Sequence, residues 1–239
     1  RITFLNPDIW RAYFNSILYA VTGCALVLFL NSLTAFPLSC KEVYGRNVIT
    51  IFFVITMFFS GGLIPTYLLI LKLEMINTIW AIIVPGSVGV WTVIIFRTNF
   101  GLVPRSLIES AYIDGAKAWT IYLRIMLPLS KPIFATLGLF SIVAIWNDFF
   151  TPLIYLSSRS KEPLSIYLRS LIVIPTFESG HMASSLSDFA LEEGSENMPG
   201  LLEGIKMAAI IVSTAPILIV YPFIQKYFVK GVLVGSIKG

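Results

Sequence analysis

Long uncharged stretches alternate with short charged ones along this chain. Residues 13–38, 47–71 and 75–96 contain no Asp, Glu, Lys or Arg, residues 132–156 contain only Asp148, and residues 207–226 are uncharged up to Lys226. Charged residues close each stretch, as Lys41 and Arg46 do after the first and Lys72 and Glu74 after the second. A bilayer core about 30 Å thick takes roughly 20 apolar residues as a helix, so each run is long enough to cross. None alternates strictly between apolar and polar positions as a barrel strand must, and only helices or closed barrels satisfy their backbone groups in lipid. The pattern predicts an all-α integral membrane protein, a single domain over residues 1–239 with five spans.

Composition agrees: 13% of the residues are charged, against about 25% in an average soluble domain. The net charge of +4 does not point to nucleic acid, because the basic residues are spread among loops that flank the spans. Cys24 and Cys40 both belong to the first apolar segment and read as small buried hydrophobes. No metal site is expected, and His181, the sole histidine, supports neither a metal centre nor a catalytic base by itself.

Lys and Arg gather on one side of the predicted membrane. The connections after spans one, three and five hold Lys41, Arg46, Arg97, Arg105, Lys117, Arg124, Lys131, Lys226, Lys230 and Lys238, with Glu42, Glu109 and Asp114 as their acids. By the positive-inside rule this side, and with it the C-terminus, is cytoplasmic. Arg1 then lies outside, so a chain that starts in the cytoplasm needs one further helix before Arg1. Two connections exceed a simple turn: residues 98–131 on the cytoplasmic side and residues 157–203 on the other. Long connections in compact folds are usually functional.

Within 98–131, Pro104 suits a first helical position, and Arg105 to Ile113 reads as a short helix with Leu107, Ile108, Ala111 and Tyr112 on neighbouring turns. Asp114-Gly115 reads as a turn, and Ala116 to Met126 as a second helix stopped at Leu127-Pro128. The expected product is a stiff helix-turn-helix elbow joined to the fourth span. Spacing alone also admits a helix pair lying on lipid headgroups.

Glu109-Ser110-Ala111, Gly115 and Ile125-Met126-Leu127-Pro128 resemble the EAA motif of binding-protein-dependent ATP-binding-cassette (ABC) importers, with Ser110 in place of the first alanine. In that family the elbow is a coupling helix seated in a cleft of the ATPase subunit. The resemblance implies coupling roles for Glu109, Ser110, Ala111, Asp114, Gly115, Ala116, Ile125, Leu127 and Pro128, with Glu109 and Ala111 on the docking face. Asn15-Ser16, residues 35–39 and Trp146-Asn147-Asp148-Phe149 are similar to carbohydrate permeases of the type of the maltose system's second subunit. Residues 58–67 are similar to the branch serving alginate or glycan fragments. The resemblance implies a type I importer bundle of six helices in the bacterial inner membrane. The implied partners are a related second permease, two ATPase subunits that carry ATP and Mg, and an extracytoplasmic binding protein contacted by residues 157–203. This chain has no G-x-x-x-x-G-K-[ST] phosphate loop, so no nucleotide cofactor is expected on it and it is not itself an enzyme.

Polar residues inside spans complete the reading. Trp146, Asn147 and Asp148 fall near the middle of the fourth run, where an ionisable group costs roughly 2.5–3.5 kcal/mol and usually faces a cavity or a partner. Two readings stand: a substrate path in which Trp146 stacks on a sugar while Asn147 and Asp148 bond its hydroxyls, or polar contacts that hold helices together. Asn31 is a weaker candidate for the same path. Gly61, Gly62 and Pro65 predict a kink in the second span, and Trp80 and Trp91 read as belt or packing residues. A secondary transporter is the alternative function, but the paired repeats with broken helices that such a fold needs are not legible. A membrane enzyme lacks a nucleophile–base or metal constellation.

Overall fold

The computed structural model describes residues 7–173 together with Met207, Ile211 and Thr214. Among the described residues the secondary structure is helical throughout. Helix α1 (Pro7–Ser39) has 33 residues, about 50 Å at 1.5 Å per residue. It therefore overshoots a hydrocarbon layer of about 30 Å. The other helices are shorter: α2 (Arg46–Phe58), α3 (Leu63–Lys72), α4 (Ile79–Ile83), α5 (Val90–Phe100), α6 (Arg105–Ile113), α7 (Ala118–Ile121), α8 (Leu127–Leu129), α9 (Lys131–Asn147), α10 (Phe150–Tyr155) and α11 (Leu164–Val173).

α1 is the post on which the rest is hung. Ala35, Phe36 and Leu38 at its C-terminal end join Val93, Phe96 and Phe100 of α5, Leu137 of α9, and Ile121, Tyr122 and Met126 in one buried cluster. Its aromatic rings meet at tilted angles, with Phe96 to Phe134 at 4.6 Å and Phe36 to Tyr122 at 5.4 Å between centroids, the geometry that ring quadrupoles favour. Small residues bring α1 and α9 close. Cys24 Sγ donates to the Gly138 carbonyl at 3.5 Å, and a Cβ on Gly23 would sit 2.7 Å from Ile145 Cδ1. Close approach through small residues is how helices pack where lipid competes equally for apolar side chains.

Four of the five expected spans are described, and three of them are broken. The span at 13–38 is continuous within α1, which by itself is long and apolar enough to cross. The span at 47–71 is two helices, α2 and α3, bent by 110°. The bend falls at the expected glycines, where Gly62 takes φ +84, a region open to glycine and costly to other residues. The span at 75–96 is not a continuous helix: it is divided into α4 and α5 by Val84–Gly89, around Pro85 and Gly86. Proline lacks an N–H and clashes with the preceding turn. In the span at 132–156, α9 ends at Asn147 and α10 begins at Phe150. The predicted second helix of the elbow also differs. It starts at Ala118, passes through a π turn at Tyr122–Met126, and continues past Pro128 to Leu129 before a 79° bend into α9. A π turn absorbs the mismatch that a proline creates. Most of the span expected at 207–226, the part of the connection expected at 157–203 that follows residue 173, and His181 lie outside the described residues.

Gly23→Ala is expected to be accommodated by rotation of the Ile145 terminus. Gly23→Leu overpacks the contact and costs about 1–3 kcal/mol. Thermal aggregation of the detergent-solubilised protein should separate the two, with only the leucine variant melting clearly lower.

Candidate functional site: the elbow and the polar helix breaks

The elbow owes its shape to one helix cap. α6 ends at Ile113, Asp114 follows as the capping residue, and Gly115 takes φ +77. The Gly115 N–H donates to the Tyr112 carbonyl at 3.0 Å and the Ala116 N–H to the Ala111 carbonyl at 2.9 Å. This pair of bonds is a Schellman motif, which ends a helix on a left-handed residue and brings the residue after it against the last turn. Ala111 and Ala116 are the two positions so joined. Both are half-buried against the main cluster, with Ile108, Ile125 and Leu127. The spacing of small residues around Gly115 therefore has a local cause: a large side chain at 111 or 116 would push the elbow off its base.

This divides the residues singled out from sequence. Glu109, Ser110, Asp114, Gly115 and Pro128 are exposed. Ala111 is half-buried against the main cluster, whereas Glu109 is exposed, and the Ala111 carbonyl accepts the cap bond. Ser110 Oγ donates to the Ser106 carbonyl at 2.7 Å. The outward surface also carries Tyr112, Ile113 and Trp119, with Ile113 86% exposed. Tyr112 is among the apolar residues read on the first elbow helix, whereas Ile113 and Trp119 are not singled out from the sequence, although an apolar residue beside a predicted exposed turn is a usable signal. Arg97 Nε donates to the Leu38 carbonyl at 3.1 Å, so the end of α1 braces the last turn of α5, and Glu42 in the turn after α1 lies 4.0 Å from Arg105.

The polar residues proposed for a substrate path do not share one surface. Asn31 is fully buried and its amide is committed. Nδ2 donates to the carbonyls of Val27 at 2.6 Å and Ser87 at 2.8 Å, while Oδ1 accepts from the Gly89 N–H at 2.8 Å. It clamps the break between α4 and α5 and presents no surface in this chain. Asp148 does not sit in mid-helix. Its Oδ1 accepts from the N–H groups of Phe150 at 3.0 Å and Thr151 at 3.1 Å, and its carbonyl accepts from Ser165 Oγ at 2.8 Å. The carboxylate supplies the first amides of α10, which have no partner within their own helix. Trp146 is half-buried in a packing cluster with Ile9, Ala12, Tyr13 and Leu164. Asn147 alone of the four is exposed, with Nδ2 on the Val143 carbonyl at 3.0 Å.

A second constellation lies at the far end of α1. Asn15 Nδ2 donates to the carbonyls of Ser160 and Glu162, Tyr19 Oη donates to that of Lys161, and Ser16 Oγ accepts from the Leu164 N–H. Asn77, held at φ 57, accepts on Oδ1 from the Ser158 N–H at 3.1 Å. These bonds pin residues 158–164 as a fixed shelf. Burial pushes the Glu162 carboxyl on that shelf above its ordinary range. No group of His, Cys, Asp or Glu that could hold a metal occurs among the described residues.

Residues 26–234 match the family described as "Binding-protein-dependent transport system inner membrane component". Over its full length the chain is 41% identical to protein LplC of Bacillus subtilis, covering 78% of that protein. It is 40% identical to the polygalacturonan/rhamnogalacturonan transport system permease protein YtcP of the same organism, covering 100% of this chain and 80% of that one. Among solved structures, it superposes with a TM-score of 0.85 and 29% identity on a chain of a bacterial ABC transporter involved in import of the acidic polysaccharide alginate, over 95% of this chain and 77% of that one.

Asp148→Asn keeps the accepting oxygen and is expected to leave thermal stability nearly unchanged. Asp148→Leu strips the α10 amides of their acceptor and should cost about 1 kcal/mol, measured by melting of the solubilised protein. With a family match over most of its length and close relatives over all of it, the chain belongs to the binding-protein-dependent transport system inner membrane components and is the permease subunit of an ABC transport system.

Proposed function

We propose that this permease imports oligosaccharides released from polysaccharides, with uronate-containing chains foremost, and is driven through its elbow by ATPase subunits. The observation that carries the reading is the elbow itself. A short helix ends in a glycine cap, stands on the buried cluster, and turns Glu109, Tyr112, Ile113 and Gly115 outward. A rigid projection with an exposed apolar tip is suited to enter a cleft on another protein, and the family membership makes an ATPase the occupant to expect. The cargo class rests on the relatives, which belong to systems that transport polygalacturonan or rhamnogalacturonan, arabinooligosaccharides and alginate.

On this reading the elbow end is cytoplasmic, as the excess of Lys and Arg favours, and the shelf at 158–164 faces the binding protein. A related second permease completes the path, to which Asn147 contributes. ATP and Mg belong to the ATPase subunits. A secondary transporter is not favoured by the family match, and the coupling elbow gives such a carrier nothing to do.

Gly115 supplies the test. A Cβ there meets nothing within 4 Å in this chain, so a substitution acts through the left-handed backbone and through whatever docks on it. Asn tolerates that backbone while a β-branched residue does not. Gly115→Val is expected to lose most of the ATPase that co-purifies with the wild-type complex, and Gly115→Asn to retain more. Equal recovery of ATPase from all three would overturn the elbow assignment. Absence of an ATPase from the wild-type preparation would overturn the importer reading.

A further inference from the structure

The break between α4 and α5 is held by the same turn of α1 that holds the elbow. Asn31 bonds backbone groups on both sides of residue 88, the Ser87 carbonyl and the Gly89 N–H. The next residue, Ser32, lies 2.7 Å from the Tyr122 hydroxyl, and Ser32 Oγ also donates to the Phe29 carbonyl at 3.1 Å. Either hydroxyl can donate in the Ser32–Tyr122 contact, and both can also accept. The chain of bonds runs from Tyr122 through Ser32 into α1. Asn31 and Ser32 are fully buried, and Tyr122 is almost so. Tyr122 opens the π turn on which the elbow returns to the bundle, and α5 is the helix that leads into it. Both limbs of the elbow are thus tied to adjacent residues of one long helix.

The break has a surface. Val84, Pro85, Gly86 and Val88 are exposed in this chain. Asn31 lies eight residues before Ser39, the last residue of α1, about 12 Å from that end, which is within the depth of a bilayer core. Irregular backbone at membrane depth is tolerated against protein or water but not against lipid. Val84, Pro85, Gly86 and Val88 therefore face the partner permease or the aqueous path.

We propose that Asn31 and Ser32 are a pivot through which movement of the elbow, carried by Tyr122 and α5, resets the conformation of the break at Val84–Gly89. This rests on the reading that an ATPase acts on the elbow. Asn31, Ser32 and Tyr122 are then positioning residues: they touch no nucleotide and bind no cargo, and they set how far ATPase closure is felt at the break. Two discrete hydrogen-bonded arrangements in a packed core transmit such a change better than a deformable one.

The experiment uses the complete importer in proteoliposomes, with Cys24 and Cys40 replaced by alanine and Val88→Cys as the reporter. Labelling by a charged maleimide is timed without nucleotide and after trapping with ATP and orthovanadate. Trapping is expected to change the labelling rate at least about fivefold, the lower end of ordinary allosteric coupling. Tyr122→Phe and Ser32→Ala, which each delete one hydroxyl contact, should cut the change to less than about twofold while the ATPase co-purifies in full. An unchanged ratio in the parent, including no labelling in either state, overturns the proposal, as does a full response in both hydroxyl variants. Loss of the co-purifying ATPase from both variants also overturns it, since the pair would then serve the fold of the elbow. If the Gly115→Val complex retains its ATPase, the elbow reading itself has failed, and that result is distinct from each of the others.

Discussion

Backbone groups that lose their helical partners inside a membrane must be bonded by something else, and the structure of this permease is organised around that requirement. A continuous helix satisfies itself, but three of the described spans are interrupted. At each interruption between α4 and α5 or between α9 and α10, a side chain supplies what the helix no longer does. Asn31 serves the Ser87 carbonyl and the Gly89 N–H, and Asp148 serves the first amides of α10. An unpaired buried peptide group costs about 1–3 kcal/mol or more, so these polar side chains offset costs that apolar packing cannot.

The same requirement explains the dominance of α1. Its one unbroken helix carries Asn15, Ser16 and Tyr19 to one end and Asn31, Ser32 and Leu38 to the other. At the first end it pins the 158–164 shelf, and at the second it holds the break, the π turn and Arg97. The interrupted spans borrow their order from it.

The elbow shows how a short sequence signature reduces to local physics. Glycine is required at 115 by its φ of +77. The alanines at 111 and 116 are the two ends of the 2.9 Å bond that closes the cap. Glu109 and Ser110 lie on the exposed side, with the Ser110 hydroxyl bonded to the Ser106 carbonyl. Half of the signature thus builds the elbow and half is available to a partner, a division that the motif read as a string does not reveal.

Chain pattern alone determined the membrane class, the positions of the described apolar runs, the bounds of α6 and the turn at Asp114-Gly115. These depend on local quantities: runs of uncharged residues, a proline at a helix start, a glycine where the chain must turn left-handed. Tertiary structure decided what the polar residues within those runs do. An asparagine or aspartate inside an apolar stretch signals only that a bond must be made, and the partner of Asn31 is 56 residues away at Ser87. It also decided that residues 75–96 are two helices, because Pro85-Gly86 permits a break but only an amide delivered by another helix makes one tolerable. Hydrophobicity is a sum along the sequence, whereas hydrogen-bond satisfaction is a pairing in space. The first was legible residue by residue, and the second had to wait for the fold.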